Sequence, residues 1–216
     1  MKKILFLFLC FSVWPVFAQN AIPFCMSMTT RVHVKTHIGN PKYVTSYSRE
    51  EFLKKTGRRQ DERTLGLTAF HMAVDTKVTP SVEQQFEQIC VSISDLDVNL
   101  YYPDLTIYID KKYAPSSCEY QVIKDHENYH VAVAQRALTF YKKDVENVVY
   151  DTLRRMSSKI VYSKEEVQPT VARMSDTITA ALQPLLQHIN AKLVEKNAAI
   201  DTPEMYEQTT QRCKNW

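Results

Sequence analysis

A chain of 216 residues, 44% hydrophobic and 24% charged, has the length of one or two domains and the composition of a folded globule. Gly39, Gly57 and Gly66 are its only glycines. That excludes the P-loop, the dinucleotide fingerprint and the Gly-x-Ser-x-Gly nucleophile elbow, each of which needs closely spaced glycines. The formal net charge of +3 is too small for a protein held on nucleic acid by phosphate neutralisation, so no nucleic-acid partner is expected.

Residues 1–18, MKKILFLFLCFSVWPVFA, place Lys2 and Lys3 before an apolar run that ends at Val16-Phe17-Ala18. This is the pattern of a secretory signal peptide cleaved after Ala18, which predicts an exported protein, periplasmic or secreted, with no stable membrane anchor after cleavage. Residues 19–216 then form a single domain that keeps Cys25, Cys90, Cys118 and Cys213. Four cysteines in an exported chain predict two disulfides, and the absence of a Cys-x-x-Cys pair argues against thiolate metal sites. Of the three connectivities, Cys90–Cys118 with Cys25–Cys213 is favoured, because the first pair would tie a strand region to the start of a helix.

In chain order, residues 19–115 read mainly as strands. Residues 31–38, RVHVKTHI, alternate, with Arg31, His33, Lys35 and His37 on one side and Val32 and Val34 on the other. A turn at Asn40-Pro41 leads to YVTSYS, and REEFLKKTG reads as a short helix stopped by Gly57. RRQDER is a charged loop. The β-branched and aromatic stretches LTAFHMAVDTKV, QFEQICVSISDLDVNLYY and LTIYIDKKY, separated by TPS and YPD turns, predict an antiparallel meander.

Residues 116–216 read mainly as helices. No Gly or Pro interrupts residues 116–160, and apolar residues recur there at helical spacing. Ser163 to Glu166 forms a capping box for a second helix, in which Pro169 and Pro184 shift the start or kink the axis. Thr202-Pro203 opens a third. Strands first and helices last predict an α+β fold, an N-terminal antiparallel sheet packed on long C-terminal helices.

The first long helix carries His126-Glu127-Asn128-Tyr129-His130, a His-Glu-x-x-His motif. Four helical residues turn about 400°, so both imidazoles share one face one turn apart, within reach of one Zn²⁺. Glu127 sits beside them, too awkwardly placed to be a ligand but able to accept a proton from an activated water. The flanking SCEYQVIKD and VAVAQRALTFY supply the helix that the motif requires.

With Gly66-Leu67-Thr68, Cys90, TIYIDKKYAPSSCEY, HENYHVAVAQRAL and the tail IDTPEMY…C, the chain resembles a family of exported bacterial proteins of unknown function described as predicted secreted zinc-dependent proteases. The resemblance covers about two thirds of residues 19–216 and is most specific between Cys118 and Leu138. It implies an exported zincin-like protein with His126 and His130 on zinc and Glu127 as base, but no known substrate; the expectation of a protein or peptide substrate follows from the peptidase chemistry itself. The extended zincin motif is absent: Val133 stands where its glycine would be and Arg136 where its third histidine would be.

A catalytic zinc wants three protein ligands. If the first helix breaks near Tyr141, Glu146 or Asp144 returns to the site; if it persists and the next helix runs back antiparallel, His126 and His130 face residues 194–203. That window contains Glu195 and Asp201, and Asp201 is preferred because it stands where the second helix ends. His33 and His37 share one side of a strand and could bind metal, although an exposed strand face accounts for them about as well; His71 reads as structural and His188 as ordinary helix surface. Tyr101, Tyr102, Tyr108 and Tyr129 could line a cleft or stabilise an oxyanion, but core packing accounts for most such tyrosines. The leading function is a zinc metallopeptidase. The alternatives are a non-catalytic exported metal- or partner-binding protein, and a disulfide-stapled interaction module in which the motif is incidental.

Overall fold

The computed structural model describes residues 24–26, 29–57, 64–214 and 216; the leader at 1–18 and the charged loop RRQDER lie outside the described residues. The chain is α+β. Its elements are β1 (Arg31–His37), β2 (Lys42–Val44), α1 (Arg49–Thr56), β3 (Gly66–Ala69), β4 (Ala73–Gln85), β5 (Gln88–Tyr101), β6 (Thr106–Ile109), α2 (Cys118–Arg155), β7 (Lys159–Val161), a 3₁₀ turn (Lys164–Glu166), α3 (Val167–Ala198) and α4 (Pro203–Gln211).

The strands do not form the expected antiparallel meander. They make two mixed sheets, one ordered β1-β5-β4 with β7 also on β5, the other β2-β6-β3. β1 runs parallel to β5 and β2 parallel to β6, whereas β4 and β7 on β5, and β3 on β6, are antiparallel. The stretch LTAFHMAVDTKV is two strands in different sheets, β3 and β4, divided at residues 70–72. The expected turn at TPS is instead the interior of β4. Thr79 pairs with Asp95 and Pro80 with Ile93, so Ser94 is the extra residue of a bulge on β5, where Pro80, having no N–H, is tolerated.

That bulge changes which side chains face the core. Beyond it Leu96, Val98 and Leu100 are buried; before it Ile89, Val91 and Ile93 are. A one-residue insertion flips the two-residue period, and here it keeps both halves of a long strand apolar on the helix side. The opposite face of the same sheet carries Arg31–Asp95 and Lys35–Asp97 ion pairs, which accounts for the charged alternation of β1.

α2 is one unbroken 38-residue helix. Ser117 caps its start by accepting from the Tyr120 backbone N–H. Its buried stripe includes Ile123, Val131, Ala134, Leu138, Val145 and Val149. α3 answers with Met174, Ile178, Leu182, Leu186, Ile189 and Leu193. The two pack together, and α3 also covers β4. Pro184 lies inside α3 and does not end it. α1 has the capping box at Ser48 and Glu51, and a left-handed Gly57 at its end, and it packs Phe52 and Leu53 on Tyr108.

Two disulfides are present, Cys25–Cys90 and Cys118–Cys213, and this corrects the expected pairing. Cys90 does not end a strand region. β5 continues from it to Tyr101 and carries the chain away before α2 begins, so Cys118 is out of reach and takes Cys213 beyond α4. Among the described residues no helix is long and apolar enough to cross a membrane. Non-reducing peptide mapping should recover Cys25–Cys90 and Cys118–Cys213 as linked fragments. Replacing Cys118 and Cys213 together by Ser should lower urea-unfolding stability by about 2–5 kcal/mol.

Candidate metal centre

Continuity of α2 places His126 and His130 one turn apart with their rings near-perpendicular, at a centroid distance of 5.0 Å. α3 returns antiparallel, and the turn after it carries Asp201 back to both. Asp201 Oδ1 lies 3.0 Å from His126 Nε2 and 3.0 Å from His130 Nε2, and the two nitrogens are 3.3 Å apart. Three ligand atoms on a tetrahedral ion with bonds of about 2.0–2.2 Å sit at about that separation. Both imidazoles are shielded, with side-chain exposures of 8% and 5%, while Asp201 keeps 39% and opens the site to solvent. Two imidazoles and one carboxylate are a donor set suited to a divalent transition metal.

The surrounding hydrogen bonds decide how His130 presents itself. Asn197 Nδ2 donates to the Leu193 carbonyl at 2.6 Å, which leaves Asn197 Oδ1 as the atom 2.7 Å from His130 Nδ1. An amide oxygen only accepts, so Nδ1 carries a hydrogen. A neutral His130 then turns the bare lone pair of Nε2 toward the oxygen lone pairs of Asp201. Two lone pairs at 3.0 Å repel unless a cation lies between them. That cation is a proton or a metal ion. Without a metal, burial opposes charge on both groups, yet their mutual hydrogen bond prevails: the Asp201 carboxyl is held far below the usual carboxylate range, and His130 is raised.

Glu127 is 3% exposed and lies under β3. Thr68 Oγ1 is 2.7 Å from Glu127 Oε2 and 3.1 Å from the Glu127 carbonyl, so one hydroxyl holds the carboxyl and the helix backbone together. Burial pushes the Glu127 carboxyl above its ordinary value, against the pull of the nearby imidazoles and of Thr68. Gly66 makes the approach possible. A Cβ there would stand 2.7 Å from Ile123 Cγ2 and 2.8 Å from Glu127 Oε1.

Glu127, His130 and Asp201 line a cleft of about 700 Å³. Its walls are β3, residues 70–71, and the last turns of α3, with Tyr206 of α4 at one side. Asn190 stitches two of these walls by accepting from the Met72 N–H at 2.8 Å and donating to the Met72 carbonyl at 3.1 Å. α4 is placed by the Thr202 cap, the Cys118–Cys213 disulfide and the Arg212–Asp125 pair, and the Tyr206 ring lies 5.7 Å from that of His126.

Of the third-ligand candidates the structure brings Asp201 alone to the histidines. Glu146 fails because α2 does not break; it pairs with Lys143 on the helix surface. Glu195 falls in the right window but points away and pairs with Lys192. His33 and His37 sit on the outer face of β1 and His188 on the surface of α3. His71, expected to be structural, lines the cleft. Tyr101, Tyr102, Tyr108 and Tyr129 do not line it: Tyr102 is buried with its hydroxyl donating to the Ala134 carbonyl, and Tyr108 stacks on Phe52.

Sequence reasoning gave no role to Thr68, Asn197, Asn190 or Tyr206. For Asn197 a signal existed. It continues the Leu186, Ile189, Leu193 stripe by one turn, and a polar residue on a core stripe needs a partner. The chain matches no known protein-family description, no curated protein and no solved structure.

Gly66→Ala should destabilise the fold by about 1–3 kcal/mol, since a Cβ there must displace Ile123 and the Glu127 side chain that Thr68 holds. Urea denaturation of the two proteins measures the difference; equal midpoints would show that β3 moves off α2 freely.

Proposed function

We propose that the chain is an exported zinc metallopeptidase, with His126, His130 and Asp201 holding the metal and Glu127 acting as general base. The observation that supports it most is the convergence of both His-Glu-x-x-His imidazoles on one carboxylate oxygen, with the His130 tautomer set by Asn197 so that Nε2 needs a cation. Zinc bound there supplies Lewis-acid polarisation of a peptide carbonyl and acidifies a water molecule. The remaining work falls to the chain's own groups.

Glu127 is suited to take the proton from the attacking water and return it to the leaving amine. Its raised affinity for a proton brings it nearer the neutral range in which a base works both ways. Thr68 holds one carboxylate oxygen, which keeps the group in one rotamer through that exchange. The cleft beside these groups has a volume of about 700 Å³, and Leu67, Phe70, Leu193 and Val194 give it apolar lining against which peptide side chains could pack. The two disulfides fit an oxidising compartment outside the cytoplasm.

Elemental analysis should find one zinc per chain, absent from His126→Ala and His130→Ala. Glu127→Gln should keep the zinc and cleave an unstructured protein such as casein about 10²-fold more slowly or worse. Zinc retained with no hydrolysis by the parent protein would point instead to a non-catalytic metal-binding protein.

Chelator competition should show zinc affinity lower by about 10–100-fold in Asn197→Leu and by at least as much in Asp201→Ala. Unchanged affinity in both would remove Asp201 from the ligand set.

A further inference from the structure

At the other end of the α2–α3 pair lies a second cavity, of about 590 Å³, which the metal centre does not use. It lies where the chain passes from α2 to α3. The chain leaves α2 at Met156, adds β7 to the sheet and re-enters through the 3₁₀ turn, and β7 contributes Lys159, Ile160 and Val161 to the lining. A cavity of this size is in the range that holds a small organic ligand.

Its lining is unlike the rest of the helix interface. The inward stripe of α3 is aliphatic or Met from Met174 to Leu193 but begins with Thr170, 2% exposed; that of α2 runs through Val145 and Val149 and then gives Thr152, 5% exposed. Both stripes turn polar at this cavity. Part of the lining is apolar, with Met156, Ile160, Val161, Met174 and Ala181. Around them stand Arg155, Lys159 and Arg173, and no carboxylate lines the cavity.

None of these three cations has a carboxylate partner among the described residues. Arg155 donates to the Asp151 carbonyl and Arg173 to the Thr170 hydroxyl, at 2.8 Å. Thr170 spends its oxygen on Arg173, and its own hydroxyl hydrogen meets no acceptor among the described residues. A buried hydroxyl with a hydrogen to give, next to a guanidinium whose partner is neutral, is an arrangement that accepts an anion. In a chain whose formal charges nearly balance, three cations gathered without a carboxylate are a local excess.

We propose that this cavity binds a small amphipathic anion, with an acyl or aryl tail on Met156, Met174 and Ala181 and a carboxylate or phosphate head between Arg155, Lys159, Arg173 and Thr170. The site is independent of the metal centre, from which the length of the helical pair separates it.

Isothermal titration of the purified chain with decanoate, decyl phosphate, decan-1-ol and inorganic phosphate tests it. Decanoate or decyl phosphate should saturate at one per chain, the tighter of the two naming the head group. Decan-1-ol, which lacks the charge, and inorganic phosphate, which lacks the tail, should bind at least about tenfold more weakly. Arg173→Gln should weaken the anionic ligand by about tenfold, and Thr177→Trp, which fills the space without removing a charge, should abolish binding. Arg155→Gln takes the place of Arg173→Gln if that variant does not fold. Decan-1-ol binding as tightly as decanoate, an affinity indifferent to both substitutions, or no saturable binding would overturn the proposal.

Discussion

The antiparallel packing of α3 on α2 is the constraint on which the candidate metal site depends. His126 and His130 are local to one helix, but a third ligand must come from elsewhere, and only the register of the second helix determines which residue returns to them. That register is held by Ile178, Leu182, Ile189 and Leu193 against the stripe of α2, each fully or almost fully buried. At about 1.5–3 kcal/mol for each large aliphatic side chain taken from water, a slip by one turn would forfeit far more than a carboxylate–imidazole contact returns.

On that frame the polar groups are placed at some cost. Glu127 and His130 are buried charges or near-charges, and taking either from water is unfavourable unless partners compensate. Thr68 and Asn197 provide those partners, and each joins the helix of the motif to a different element: β3 in one case, the end of α3 in the other. Asn197 does this twice, because its backbone carbonyl also accepts from the Asp201 N–H at 3.3 Å. One residue thus orients a histidine through its side chain and the opposing carboxylate through its backbone.

The disulfides act at the edges of this arrangement. Cys118–Cys213 closes a sequence separation of 95 residues and fastens α4 to the start of α2, so the segment that bears Asp201 is tied on both sides. Cys25–Cys90 closes 65 residues and anchors the chain before β1 to the turn end of the β4–β5 hairpin. In the chain-entropy treatment such closures are worth about 4–5 kcal/mol each. They matter here because β1 pairs with β5 across the whole of β2, α1, β3 and β4, a closure expensive in loop entropy.

Much of this was legible from residues alone wherever the cause is local. The capping box at Ser163, the Thr202-Pro203 start of α4, the Gly57 stop and the uninterrupted pattern through His126 and His130 depend on neighbours within a turn, and the helices lie where those signals place them. Counting back along a helical hairpin even reached the window holding Asp201. What separated Asp201 from Glu195 was helix phase. Glu195 lies on the exposed side with Lys192, whereas Asp201 follows the helix end, where the backbone turns inward. Strand direction, the bulge at Ser94, the cysteine pairing and the roles of Thr68 and Asn197 are contacts between segments tens of residues apart. No local pattern encodes them; they follow from how two sheets and two long helices share one core, and only the tertiary structure decides that.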